Sequence, residues 1–221
     1  MRHALLARAR RELGGEIGAQ AQWGNAIRSS QEQARKLVVL ARLTASWNWQ
    51  REHEEVLWLL LHRHPAERWV ADALNRTLLR SGNTLGLQKL YEELVTREPE
   101  NLPARNNLAV VCLLLNLQME RAHELARSTY LRAATNATFA STYAYSLYLQ
   151  GRAADGLAVL DSFPRAATEL PSIALYHGVL QSSVAPEKAS PLLDLAEKAS
   201  LLLPEERALL QAARQRLAKS P

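Results

Sequence analysis

The sequence contains little cysteine, glycine or proline, and it has no long apolar run. Its one cysteine, Cys112, lies in the apolar stretch 110–115 and is expected to be a buried thiol without a disulfide, in a reducing compartment. Nine glycines and nine prolines in 221 residues, with no alternating β-branched runs, predict an all-helical chain. The longest apolar stretch is too short for a bilayer, and arginines interrupt residues 1–20 where a signal peptide needs an apolar core. We therefore expect a soluble cytoplasmic protein.

Motifs of catalysis and metal binding are also missing from the sequence. It has no G-x-G-x-x-G, no phosphate loop and no G-x-S-x-G elbow. His53-Glu54 and His123-Glu124 begin like the zinc-protease motif H-E-x-x-H, but Leu57 and Arg127 stand where its second histidine is needed. Three histidines are dense in sequence but fall on different helix faces, so we interpret them as surface residues: His53, His62 and His64. We therefore expect no enzyme activity, no cofactor and no metal.

The sequence does contain a repeat with a period of 34 residues. Glycine and asparagine, which most readily adopt the left-handed conformation that closes a helix, recur at this spacing at Gly14, Asn48, Gly82 and Asn116, and again after 35 residues at Gly151. Three further sets of positions recur with the same period. One is mostly small residues, at Ala7, Ala41, Asn75 and Ala109. The second is large and apolar, at Trp23, Leu57 and Tyr91, and the third is proline, at Pro65 and Pro99.

These positions together resemble the tetratricopeptide repeat over nearly the whole chain. The resemblance implies an all-α solenoid of about six helix–turn–helix repeats, stacked in a right-handed superhelix as one elongated domain. The expected repeats are residues 1–33, 34–67, 68–101, 102–136, 137–170 and 171–202. Residues 203–221 are expected to form a capping helix that covers the apolar face of the sixth repeat.

The repeats are degenerate, and two irregularities stand near the ends. Phe163-Pro164 is expected to end the second helix of the fifth repeat early, and the sixth repeat needs a one-residue deletion. The first helix begins in phase with the later ones, yet no cap precedes it. Either its arginines let it serve as its own cap, or the chain is the tail of a longer repeat protein, and we favour the second interpretation.

A column of arginines is the most informative surface feature. Arg8, Arg42 and Arg76 are spaced by 34 residues, and Arg80 lies one turn beyond Arg76. In arrays of the family that the chain resembles, first helices line a concave groove, so these residues are expected to point into it. Asp72, four residues before Arg76, can form an ion pair with it. The alternative to a binding groove is therefore a solvated helix face without a binding role.

Aromatic residues supply the remaining candidates. The arginine column continues into Val110, Tyr145 and Val179, which predicts a neutral, more apolar second half of the groove. Tyr145 and Tyr148 share a helix face and are either peptide anchors or packing residues, and Asn106 is placed in the same candidate binding set. Four tryptophans near turns are expected to fill gaps between successive repeats: Trp47, Trp49, Trp58 and Trp69.

Two classes of function remain open. The first is a protein-interaction module that binds a peptide or partner segment in its groove, acidic where it meets the arginines and apolar near Tyr145. The second is a structural spacer, or the oligomerising tail of a larger enzyme or a secretion-type assembly. A nucleic-acid role comes third, because the net charge of +5 permits it but no basic-aromatic motif supports it.

Overall fold

The computed structural model describes residues 1–219, and these residues are helical with no strand. Twelve repeat helices and a terminal helix are present as predicted, together with the short extra helix α11 and a 3-10 turn at Pro186–Lys188. The α-helices are α1 Arg2–Glu12, α2 Glu16–Arg28, α3 Ala34–Ser46, α4 Gln50–Arg63, α5 Trp69–Ser81, α6 Thr84–Arg97, α7 Leu102–Leu115, α8 Met119–Arg132, α9 Ala137–Leu149, α10 Ala153–Asp161, α11 Arg165–Thr168, α12 Pro171–Val184, α13 Ala189–Ala196 and α14 Pro204–Lys219.

The turn residues predicted from the period all adopt the left-handed backbone conformation. Their φ angles are 77° at Gly14, 58° at Asn48, 65° at Gly82, 54° at Asn116 and 76° at Gly151. Glycine and asparagine adopt this conformation at low cost, so the turn between paired helices follows from local chemistry. The sixth repeat is different, because α12 ends in the extended Ala185, whose φ is −142°, and not in a left-handed residue.

The chain divides into two compact units, which we call unit 1, Met1–Leu78, and unit 2, which begins at Leu79. In unit 1, α1 packs on α2 and α3 packs on α4. In unit 2, α7, α9 and α12 each pack on the helix that completes their pair. The expected single domain, its repeat boundaries and its superhelical hand stay predictions.

Small residues of the repeat allow these helices to approach closely. Ala7, Ala41 and Ala109 are buried, as their place in the period predicts. In unit 2 the helices approach even more closely at Gly156. A Cβ atom at this position would lie 2.6 Å from Leu180 Cδ2 and 2.7 Å from the carbonyl oxygen of Ala144. Helices α9, α10 and α12 therefore meet where any larger side chain would force them apart.

The end of unit 2 carries the irregularities that the sequence predicts. Helix α10 ends at Asp161, shortly before Pro164, and α11 follows as a short turn. Helix α12 is buried on all sides from Ile173 to Ser182. Helix α14 packs along α12 and also contacts α13 and α7. It thus contributes to the burial of α12.

Cys112 is a free, buried thiol in α7, as predicted, and burial raises its pKa. None of the helices within residues 1–219 combines the length and the apolar character needed to cross a membrane.

Candidate functional site

The arginine column and its continuation define a surface that we call the first-helix face. Each unit has its own first-helix face, formed by α1, α3 and α5 in unit 1 and by α7, α9 and α12 in unit 2. Arg8, Arg42 and Arg76 are all exposed. At the equivalent positions of unit 2, Tyr145 is only 4% exposed and Val179 only 1%. The same repeat position is therefore exposed in unit 1, whereas in unit 2 it is partly buried at Val110 and buried at Tyr145 and Val179.

Arg8 takes part in an aromatic cluster. Its Nε donates to Glu12 Oε1 at 2.7 Å, and its guanidinium carbon lies 5.3 Å from the centre of the Trp47 ring. Trp47 and Trp49 pack edge to face at 5.1 Å, and the guanidinium of Arg11 lies over Trp49 at 3.9 Å. The packing role expected of these two tryptophans is present, and it includes cation–π contacts with α1.

Arg42 lies in a cleft of about 600 Å³ within unit 1. In the described part of the chain Arg42 makes no ion pair, and the residue is exposed. The cleft is lined by residues of α3, by one histidine of α4 and by two residues near the start of α5: Arg35, Val38, Val39, Ala41, Arg42, Ala45, His53, Glu67 and Trp69. An unpaired cation thus lies beside apolar and aromatic surface.

Trp69 corrects one expectation from the sequence. It was expected to fill a gap between repeats, but 41% of its surface is exposed at the edge of the cleft. The physical reason is its place as the first residue of α5, directly after the loop 64–68. Its indole Nε1 donates to Glu67 Oε2 at 2.8 Å, which orients the ring. Neither Trp69 nor Glu67 was among the binding residues predicted from the sequence. In sequence Trp69 looks like a packing tryptophan, and only its exposure in the structure distinguishes it from one.

Arg76 and Arg80 are exposed, Arg76 in unit 1 and Arg80 in unit 2. Within residues 1–219, Asp72 forms no ion pair with Arg76, so the pairing considered from the sequence does not occur. Arg76 does not line the cleft that contains Arg42. The column therefore divides into an arginine engaged with tryptophan, an arginine in a cleft and two solvated arginines.

The dense histidines do not converge on a metal site. His53 is half-buried, and its Nδ1 lies 3.0 Å from the carbonyl oxygen of Ala41 and 3.1 Å from Thr44 Oγ1. This burial corrects the expectation of a surface residue, and it lowers the pKa of His53. His62 stacks on Trp58 instead, with ring centres 5.5 Å apart. Among the described residues, no group of three potential ligands could hold a metal ion.

The candidates of unit 2 lie in a covered environment. The ring of Tyr145 packs at 6.1 Å from that of Tyr148 and at 4.9 Å from that of Tyr176. Burial raises the pKa of Tyr145 to about 12. The hydroxyl of Tyr148 accepts a hydrogen bond from Arg216 Nη2 at 3.2 Å. The binding role of these tyrosines stays a prediction, and in this structure they pack against their neighbours.

Asn106 is also covered, with 2% of its surface exposed. Its Oδ1 is buried and has no hydrogen-bond partner. An unpartnered buried amide oxygen is costly, about 1–3 kcal/mol, and it is uncommon in folded proteins. It marks a point on the first-helix face of unit 2 where a donor is missing.

Comparison with known proteins supports the fold. No family model matches the chain, and none of the curated proteins matches it. A tetratricopeptide repeat protein from Parabacteroides merdae has a solved structure that aligns with a TM-score of 0.54 and 12% identity, covering 96% of this chain and 83% of its own. A thermophilic tetratricopeptide repeat protein from Thermus thermophilus aligns with a TM-score of 0.54 and 17% identity, covering 84% and 99%.

A third solved structure is that of PilW, a widely conserved type IV pilus biogenesis factor. It aligns with a TM-score of 0.50 and 12% identity, covering 94% of this chain and 96% of its own. At such low identity these likenesses concern the fold alone. The fold is that of helix–turn–helix repeats of the tetratricopeptide type.

Proposed function

We propose that this chain, with its tetratricopeptide repeat fold, is a non-catalytic protein–protein interaction scaffold that binds an acidic segment of a partner in the cleft of unit 1. One observation carries the proposal. Arg42 has no ion pair in the described residues and shares the cleft with the exposed ring of Trp69. The lone buried thiol Cys112 agrees with a reducing compartment such as the cytoplasm.

The chemistry of the cleft favours a carboxylate beside an apolar side chain. A guanidinium binds a carboxylate through paired hydrogen bonds, which strengthen when a ligand excludes water. Tryptophan and arginine are the residue types that most often dominate binding energy at protein interfaces. Val39, 40% exposed, adds apolar surface next to them. A short segment with an acidic residue and a neighbouring apolar residue matches this arrangement.

Ion pairing elsewhere argues against a nucleic-acid partner. Many arginines already bind carboxylates, as in the bidentate contact between Arg121 and Glu92 at 2.8 Å. Arg63 and Arg132 likewise bind acidic residues of a neighbouring repeat. A nucleic-acid surface needs cations that are free to neutralise phosphates. Arg42, which has no ion pair among the described residues, lies beside apolar groups.

The proposal is tested by selecting peptides from a random display library on the full chain and measuring the affinity of the best one by fluorescence anisotropy. We expect the selected peptides to be rich in aspartate and glutamate. Arg42→Glu is expected to weaken binding at least about tenfold, because a carboxylate would then face another carboxylate. The double reversal of Arg42 and Arg76 to Glu should also flatten the salt dependence while the helical signal stays unchanged.

Arg51→Glu is the matched control, since it reverses an exposed arginine of α4 that does not line the cleft. It should change the affinity less than about twofold. Equal losses for Arg42→Glu and Arg51→Glu would show only a general effect of net charge. A selection that yields no peptide would favour the structural spacer, which the packed tyrosines of unit 2 also support.

A further inference from the structure

Helix α14 lies on the first-helix face of unit 2. It packs along α12 and contacts α7, while α9 lies between them and contacts both. In a fold whose first helices form the surface open to ligands, the terminal helix thus occupies the place of a ligand. The hydrogen bonds from Tyr176 to Glu206 and from Arg216 to Tyr148 place α14 beside the two tyrosines that pack against the buried Tyr145.

The beginning of α14 is held by two adjacent carboxylates. Glu205 Oε2 accepts a hydrogen bond from Thr84 Oγ1 at 2.5 Å, at the start of α6. Glu206 Oε1 accepts one from the hydroxyl of Tyr176 at 2.7 Å, and its Oε2 accepts the backbone N–H of Leu203 at 2.8 Å. The acidic pair therefore links the first turn of α14 to two repeats.

The end of α14 is held by one guanidinium. Arg216 Nη1 donates to Ser182 Oγ at 2.9 Å and to Ser183 Oγ at 2.7 Å, both at the end of α12. Its Nη2 donates to the hydroxyl of Tyr148 in α9 at 3.2 Å. A single side chain thus joins α14 to two first helices.

The remaining surface of α14 is weakly packed. Of its sixteen residues only Leu210 and Ala213 are buried. A cleft of about 380 Å³ lies between α14 and Glu197, the residue that follows α13, and Arg214 binds Asp194 and Glu197 there. Partly exposed ion pairs of this kind contribute little to stability. The helix is therefore held by polar contacts at its two ends and by a narrow apolar strip.

The first-helix face of unit 2 also carries an unsatisfied hydrogen-bond acceptor. Helix α7, which α14 contacts, carries the buried Oδ1 of Asn106 without a partner. A resident element of the fold would be expected to satisfy this oxygen or to leave it to water. A donor on another occupant could do so.

We propose that α14 is an exchangeable intrachain ligand, which a helix of a partner protein displaces from the first-helix face of unit 2. The partner helix has the chemistry of α14: two acidic residues in its first turn, a narrow apolar strip and an arginine about ten residues later, with a donor for Asn106. This surface is distinct from the cleft of unit 1, and the proposal does not depend on it. While α14 is in place, a partner helix must compete with a tethered segment whose effective concentration is in the millimolar range.

The test measures binding of a fluorescent synthetic peptide of residues 203–219 to the full chain. Arg216→Glu removes the hydrogen bonds at the end of the resident helix and places a carboxylate beside the two serines. This variant should bind the wild-type peptide at least about tenfold more tightly than the wild-type protein does, because the face is then open. The same peptide carrying Arg216→Glu should bind this variant more weakly than the wild-type peptide does.

Arg207→Glu is the matched control, as it reverses an exposed arginine of the same helix outside these contacts, and it should bind the peptide as weakly as wild type. The proposal fails if all three proteins bind the peptide equally or if none binds it. It also fails if the wild-type chain is a dimer with α14 exchanged, since the occupant is then a second copy. If Arg216→Glu loses its helical signal, hydrogen exchange of the wild-type chain decides: α14 should exchange at least about tenfold faster than α12, and equal protection overturns the proposal.

Discussion

Unit 1 and unit 2 present the same repeat position in opposite ways. In unit 1 the column of Arg8, Arg42 and Arg76 is exposed, whereas in unit 2 Tyr145 and Val179 of the same column are buried. Repeat helices account for part of this burial, since Tyr145 packs against Tyr148 of α9 and Tyr176 of α12. A helix that is not part of any repeat covers the face in unit 2.

Arginines on the first-helix faces of the two units differ in the partners available to them. Arg42 is exposed without an ion pair in the described residues, while Arg216 reaches the face from α14 and binds three hydroxyl groups. Residue type alone therefore does not separate a binding arginine from a structural one. The available partners decide, and they come from distant parts of the chain.

The largest expected effect comes from overpacking a helix pair in either unit. Ala41→Leu in unit 1 and Ala109→Leu in unit 2 place a larger side chain where the alanine is almost fully buried. Each is expected to lower the free energy of unfolding by about 1–3 kcal/mol. Hydrogen exchange should rise first in the helix pair that contains the substitution.

Glu54→Ala and Glu93→Ala provide the comparison for these substitutions. Both remove a partly exposed carboxylate, so they should change the free energy of unfolding by no more than about 0.5 kcal/mol. Uniform loss of protection across all helices after Ala41→Leu would contradict the division of the chain into separately packed units.

A smaller effect is expected from removing arginines of the first-helix faces. Arg216→Ala deletes hydrogen bonds to Ser182, Ser183 and Tyr148. Because Arg216 is partly exposed, this change should lower the free energy of unfolding by about 1 kcal/mol. Arg42→Ala should change the free energy of unfolding by no more than about 0.5 kcal/mol, because no ion pair is lost. Urea unfolding of both variants measures the difference. Equal destabilisation would remove the contrast between an open and an occupied face.

The smallest effect concerns pH and the histidine beside the open cleft. Burial lowers the pKa of His53, so the folded protein binds fewer protons at this site than the unfolded chain. Its contribution to stability is therefore present above the unfolded pKa of about 6.5 and is lost as the pH falls from there through the folded pKa. Urea midpoints at pH 7.5 and 5.5 should differ less for His53→Gln than for wild type. An identical pH dependence of both proteins would contradict this role of His53.

Several site residues could be predicted from the sequence, but their surroundings could not. The period placed Arg42 on an open face, and it also marked Tyr145 as a position of the same face. It could not reveal that Trp69 borders the cleft, because an exposed tryptophan and a packing tryptophan occur in the same local pattern. Nor could it identify Glu206 and Arg216 as contacts, since acidic first turns and basic last turns are ordinary features of helices.

The sequence alone determined the repeat helices and their turns. The left-handed residues from Gly14 to Gly151 recur with the period, and their conformation depends on local backbone chemistry. Only the tertiary structure decided which face is open. Glu205 meets Thr84 across 121 residues, and Arg216 meets Tyr148 across 68. Contacts between such distant segments depend on how the stacked helices bring them together, which no local pattern within a single repeat specifies.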